Sequence, residues 1–146
     1  MFFAALKTPL MLVFGKKHLD KCTNFGTILH MDFDDIKLKV HFYRTGSGTE
    51  PVRKWLQSLS PTHKKAIGED IKTVQFGWPL GMPLVEKIKP FLWEVRSKIP
   101  NGIARVLFTI DGNVMILLHG FIKKSQKIPQ NELKTALSRL KEYQEG

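Results

Sequence analysis

IARVLFTIDGNVMILLHGFI, residues 103–122, is two apolar runs joined by a turn. Asp111-Gly112-Asn113 is the turn, because Asp-Gly and Gly-Asn pairs between apolar runs supply the backbone freedom a tight hairpin needs. Ile103–Ile110 is therefore one strand and Val114–Ile122 the next. The second opens Val114-Met115-Ile116-Leu117-Leu118, with no polar residue to turn outward. Such a run predicts a central strand buried on both faces. Working upstream, Pro100-Asn101-Gly102 is a further turn, and Phe91–Lys98 before it is a strand. The three form an antiparallel meander. Downstream, Leu133, Leu137 and Leu140 recur at helical spacing, so Pro129–Tyr143 is a helix.

Gly77–Pro83 carries two glycines and two prolines and reads as a loop. Before it lie two helices. Pro51 opens the first, whose stripe is Val52, Trp55, Leu56 and Leu59. Ser60-Pro61 opens the second as cap and first turn, with Ile67, Ile71 and Val74 as its stripe. The helical hairpin is preceded by an alternating strand, Lys37–Tyr43, in which Leu38, Val40 and Phe42 share one side. The expected fold class is thus α+β: a helical hairpin packed on an antiparallel sheet of three to four strands, with a C-terminal helix. All helices are expected on one face, leaving the charged face open.

The chain has 146 residues, suited to one domain. Residues 1–30 lack either periodicity and read as an extension, with Met31 as a second start and 31–146 as the domain. A chain beginning at Met31 is expected to fold. The formal charge is +10, from 23 Lys+Arg against 13 Asp+Glu. Without the four lysines and one aspartate of residues 1–30 it is still +7, from 19 basic and 12 acidic residues. That surplus favours a polyanionic partner, with nucleic acid first. Cys22 is the single cysteine and the five histidines show no i, i+4 pair, so neither a disulfide nor a metal is expected. No cofactor is expected either. No apolar run reaches the roughly 20 residues of a membrane span. The apolar opening lacks the basic lead and cleavage site of a signal peptide, which makes the cytoplasm the default location.

Residues 86–127 hold eight Lys/Arg and three acids. Glu94 and Arg96, two apart, share a strand face. Arg105 lies on the next strand and His119 on the one after. Together they suit metal-independent cleavage of an RNA phosphodiester: a base for the 2′-hydroxyl proton, cations for the phosphoryl oxygens and an acid for the leaving oxygen. Glu94 or His119 could be the base, and His119 or a lysine the acid. Arg96 and Arg105 would clamp phosphate. Lys87, Lys89, Lys98, Lys123, Lys124 and Lys127 would bind the RNA backbone. The competing reading of Glu94 with its arginines is a cross-strand ion pair, and of His119 a satisfied core histidine. Trp55, Trp78 and Trp93 read as core.

Leu92-Trp93-Glu94-Val95-Arg96, Arg105-Val106-Leu107-Phe108, and Leu117-Leu118-His119-Gly120-Phe121-Ile122-Lys123-Lys124 followed by Lys127 and Pro129 resemble the phage-derived HigB-like branch of the RelE/ParE toxin superfamily. The resemblance spans about residues 36–143. It implies a RelE-like fold and the toxin of a type II toxin–antitoxin pair, an endoribonuclease that cuts mRNA on the ribosome and stops translation. It further implies an antitoxin partner, expected to be a small helix-turn-helix protein. The family's basic strand positions fall on Arg96 and Arg105, and the one after the last strand on Lys123 or Lys124. The tyrosine that several RelE members carry shortly after that strand has no counterpart between Tyr43 and Tyr143. Two alternatives share the composition: a non-enzymatic ParE-like toxin acting on DNA gyrase, and a basic nucleic-acid-binding module of phage origin.

Overall fold

The computed structural model describes residues 36–123 and 127–146. The expectations for the 1–30 arm and for Lys124 lie outside the described residues. Within them the order is β1 (Lys39–Phe42), α1 (Pro51–Ser58), α2 (Pro61–Gly77), β2 (Val85–Lys89), β3 (Leu92–Ile99), β4 (Gly102–Asp111), β5 (Val114–Lys123) and α3 (Gln130–Glu145). The strands form one sheet in the order β1-β5-β4-β3-β2. The pairs β2–β3, β3–β4 and β4–β5 are antiparallel, and β1 runs parallel to β5.

The all-apolar opening of β5 explains its place. Met115 and Leu117 enter one core cluster and Ile116 and Leu118 the other, all four nearly inaccessible. A strand buried on both faces needs a neighbour on each side and cover above and below. β1 and β4 supply the neighbours. The α1–α2 hairpin covers one face through Val52, Leu56, Ile67, Ile71 and Val74. The other face takes α3, through Ala136 and Leu140.

Two features depart from the sequence expectation. The sheet has five strands and is mixed, where three or four antiparallel strands were expected. Moreover, α3 lies on the face opposite the hairpin, where all helices were expected together. The extra strand is β2, a short edge strand. It meets β3 through a two-residue turn, Pro90-Phe91, in which Phe91 takes a left-handed φ of 63°. Turn chemistry places glycine or asparagine there, so no punctuation marks this hairpin. The other turns follow the rules: Asn101 has φ 67° after Pro100, and Gly112 has φ 62°.

Capping follows sequence too. Pro61 takes the first turn of α2, and the Ser60 side chain accepts a bond from the His63 amide at 3.3 Å.

Two tyrosines fasten α3 to the sheet. The Tyr43 hydroxyl donates to Glu142 Oε2 at 2.6 Å, and that of Tyr143 to Asp111 Oδ2 at 2.8 Å. Burial, reinforced by the carboxylate each one meets, pushes both phenols up to about 12 from an ordinary 10. The unfolded chain releases these protons first, so their stabilisation is full below about pH 10 and is lost as pH rises through about 12. Alkaline unfolding should therefore steepen across that window. Tyr43→Phe should flatten it in equilibrium denaturation, and an unchanged slope would count against this linkage.

Candidate active site

The sheet face under α3 carries the charged groups, and register fixes their places. Arg96 lies directly opposite Arg105, and Arg105 opposite Phe121. One row toward the Pro100-Asn101 turn, Lys98 faces Ile103 and Ile103 faces Lys123. One row the other way, Glu86, Glu94, Leu107 and His119 lie side by side. Positions two apart on a strand share a face, so three successive rows present Lys98, Lys123, Arg96, Arg105, Glu86, Glu94 and His119 together. A register slip between Leu107 and Phe108 makes this work on β5. It spends Leu118 as an extra residue, and both Leu118 and Phe121 face α3.

An alternating chain of acid and base crosses three strands. Arg105 Nη1 donates to Glu94 Oε1 at 2.9 Å, and Arg96 Nε to the same oxygen at 2.6 Å. A second nitrogen of Arg96, Nη2, binds Glu86 Oε2. Glu94 and Arg105 are 0% and 1% exposed, whereas the Arg96 side chain is 21% exposed and that of Glu86 is 37%. So Glu94 has no solvent-facing oxygen to offer a substrate. It is bound to two guanidiniums and fixes where they point. Arg105 lies beneath the surface, where the sequence reading expects it to clamp phosphate beside Arg96. Arg96 is the arginine that reaches solvent.

His119 forms the second corner. Arg139 Nη1 lies 3.0 Å from its Nδ1, and Glu132 Oε1 lies 2.9 Å from its Nε2. The same Arg139 nitrogen donates to the Leu118 carbonyl at 2.9 Å, and its guanidinium stands over the Tyr43 ring. Burial lowers the pKa of Arg139. Beside it the His119 ring stacks on Phe121, 5.8 Å between centroids. His119 is diagonal to Arg105 across β4–β5, roughly 7–8 Å between such neighbours.

The remaining lysines divide. Lys98, Lys123 and Lys127 are exposed. Lys87 sits opposite Trp93 with its ammonium 5.6 Å over that ring, on the face covered by the hairpin. It is therefore not part of the group around Arg96. Lys89 is exposed beside the irregularity of β2. Among the described residues, no three His, Cys, Asp or Glu side chains converge as metal ligands, and no helix is long and apolar enough to cross a membrane.

Glu132 and Arg139 were absent from the sequence reading. Their signal is there: seven residues apart on α3, they share one helix face. What hides them is that α3 reads as an ordinary amphipathic helix until its docking face is known.

The Gly120 of the His-Gly-Phe stretch owes its place to packing. A Cβ there would fall 2.3 Å from Trp55 Cζ3. The α1 ring thus lies directly on the β5 backbone, and the strand can pass only as glycine.

Residues 54–141 match the family described as phage derived protein Gp49-like (DUF891). The chain belongs to the Gp49-like family. That match runs from α1 through most of α3, so it takes in both corners of the charged face. Gp49-like proteins are a phage-derived, toxin-like family of toxin–antitoxin systems. No curated protein matches this Gp49-like chain.

Proposed function

We propose that this protein is the toxin of a type II toxin–antitoxin pair, of the HigB/RelE kind with a RelE-like fold, and that it cleaves mRNA at the ribosome in the cytoplasm without a metal. The observation that carries the reading is the in-register pair Arg96–Arg105 with Lys98 and Lys123 in the adjoining row. Four cations against Glu86 and Glu94 leave this face net positive, with the arginine heads held in place by carboxylates. That suits a phosphate whose charge grows during the reaction, because preorganised donors need no rearrangement as the transition state forms. Arg96 meets the phosphate, and buried Arg105 adds charge from behind. Lys98, Lys123, Lys124 and Lys127 follow the RNA backbone, with Lys89 at the edge. Proton transfer belongs to the His119 corner, since Glu94 is enclosed. A cognate antitoxin, proposed to be a small helix-turn-helix protein, keeps the protein silent.

Each lysine or arginine on a phosphate releases counterions, so RNA affinity should fall steeply with salt. Four to six such contacts imply a loss of about two to four orders of magnitude from low to physiological ionic strength. A flat response in a fluorescence-anisotropy titration would remove RNA as substrate. Expression without antitoxin should arrest growth and fragment mRNA. Growth arrest with intact mRNA would instead favour the gyrase-directed reading.

A further inference from the structure

The hydrogen bonds around His119 settle which group on this face takes up a proton. Every nitrogen of an arginine head is a donor or carries no outward lone pair, so Arg139 can only donate. Its 3.0 Å contact therefore uses the lone pair of His119 Nδ1. The ring proton is then on Nε2, which donates to Glu132 Oε1 at 2.9 Å. The imidazole has no basic site left: one nitrogen is occupied by a guanidinium and the other already carries hydrogen. Three carboxylates remain on the face. Glu94 is 0% exposed and holds two arginines. Glu86 is engaged by Arg96 on the edge of the sheet. Glu132 is a quarter exposed, and the group touching it is the imidazole.

We propose that Glu132 is the general base of the cleavage reaction, with His119 and Arg139 as the positioning residues that aim it. This rests on the endoribonuclease reading above. In the step, a Glu132 oxygen takes the proton of a ribose 2′-hydroxyl as the 2′-oxygen forms a bond to phosphorus. The bond from phosphorus to the 5′-oxygen breaks, and its electron pair stays on that oxygen. The leaving oxygen is protonated from solvent, to which Glu132 later returns its proton. The products are a 2′,3′-cyclic phosphate and a 5′-hydroxyl. The groups facing Glu132 are His119 from β5 and Arg139 from its own helix, with Tyr43 and Glu142 beyond Arg139. Of these, only Glu142 carries a carboxylate, and the Tyr43 hydroxyl donates to its Oε2.

Two measurements on the full chain decide the matter. Glu132→Gln keeps an oxygen for the Nε2–H bond but cannot accept a proton. Cleavage of a ribosome-bound mRNA should fall about 100- to 10,000-fold, the usual worth of a positioned base. The acid limb of the pH–rate profile should vanish, with RNA affinity and Tm retained. Wild-type cleavage rates in Glu132→Gln, or an unchanged acid limb, would overturn the assignment while leaving the endoribonuclease reading intact. Failure of the wild-type protein to cut RNA at all would overturn both. Independently of activity, ¹⁵N NMR of the ring at mildly alkaline pH should report the Nε2–H tautomer. It should shift toward Nδ1–H in Arg139→Leu and return in Arg139→Lys. A wild-type ring carrying its proton on Nδ1 would refute the argument at its first step.

Discussion

Arg105→Ala is expected to be the most damaging single substitution in the protein, for stability as well as for activity. Arg105 and Glu94 are 1% and 0% exposed and joined at 2.9 Å. Deleting one partner of a buried ion pair typically costs about 3–5 kcal/mol, and here Arg96 stays on Glu94 Oε1, which puts the expected loss toward the lower end. That is a large share of a small domain's total stability. Although the sequence reading assigns Arg105 to phosphate binding, this substitution therefore has its principal effect on folding. A pair of variants separates the two roles. Replacing both partners with apolar residues of similar size, Arg105→Met with Glu94→Leu, should recover much of the lost stability, because no buried carboxylate is then left short of a partner. RNA cleavage should remain depressed about 100- to 1000-fold, as for loss of a preorganised donor. Urea denaturation and a cleavage assay on the same three proteins provide the check. An Arg105→Ala protein as stable as wild type would show that Arg96 alone satisfies Glu94. A double variant that cuts RNA normally would remove Arg105 from the reaction.

Gly120→Ala should destabilise the fold by about 1–3 kcal/mol, the usual cost of forcing extra atoms into a packed site. One added methyl would lie 2.3–3.0 Å from three atoms of the Trp55 ring. Neither side can yield easily. Trp55 packs against the core between α1 and the sheet, and Gly120 is held in the β4–β5 ladder opposite Val106. Gly120→Val should cost more, since a β-branched side chain has few rotamers with which to escape. Shrinking the opposing ring should relieve the clash: Trp55→Leu and Gly120→Ala together should be less destabilising than the sum of the two singles. Thermal denaturation of the four proteins in this cycle measures the coupling. Strict additivity would mean that the ring does not lie on the strand. The consequence reaches the functional face, because Gly120 lies between His119 and Phe121 on β5. Pushing that strand away from α1 shifts the His119 row relative to Arg96 and Arg105. Activity should therefore fall further than stability alone predicts.

Much of this architecture was legible in the order of residues. Local chemistry wrote the three long strands, because turn residues and apolar alternation act over a few positions. The helical hairpin was equally plain from Pro51, Ser60-Pro61 and their apolar stripes. The run Val114–Leu118 declared a strand buried on both faces, and it lies between β1 and β4 with helices above and below. Even the shared face of Glu94 and Arg96 follows from their spacing.

What the sequence could not express was anything settled by packing between distant segments. β2 has five residues, an exposed edge and a turn with phenylalanine in a left-handed conformation, so only pairing with β3 makes it a strand. The parallel pairing of β1 with β5 joins segments more than seventy positions apart, and no local rule reports it. Docking of α3 on the face opposite the hairpin placed Glu132 and Arg139 beside His119 and turned a plain amphipathic helix into one wall of the site. The depth of Arg105 and Glu94 was likewise a tertiary outcome. Charge in a sequence says only that a group seeks a partner or water. Whether it finds one inside or outside depends on which surfaces close over it, and that is a property of the assembled sheet and helices.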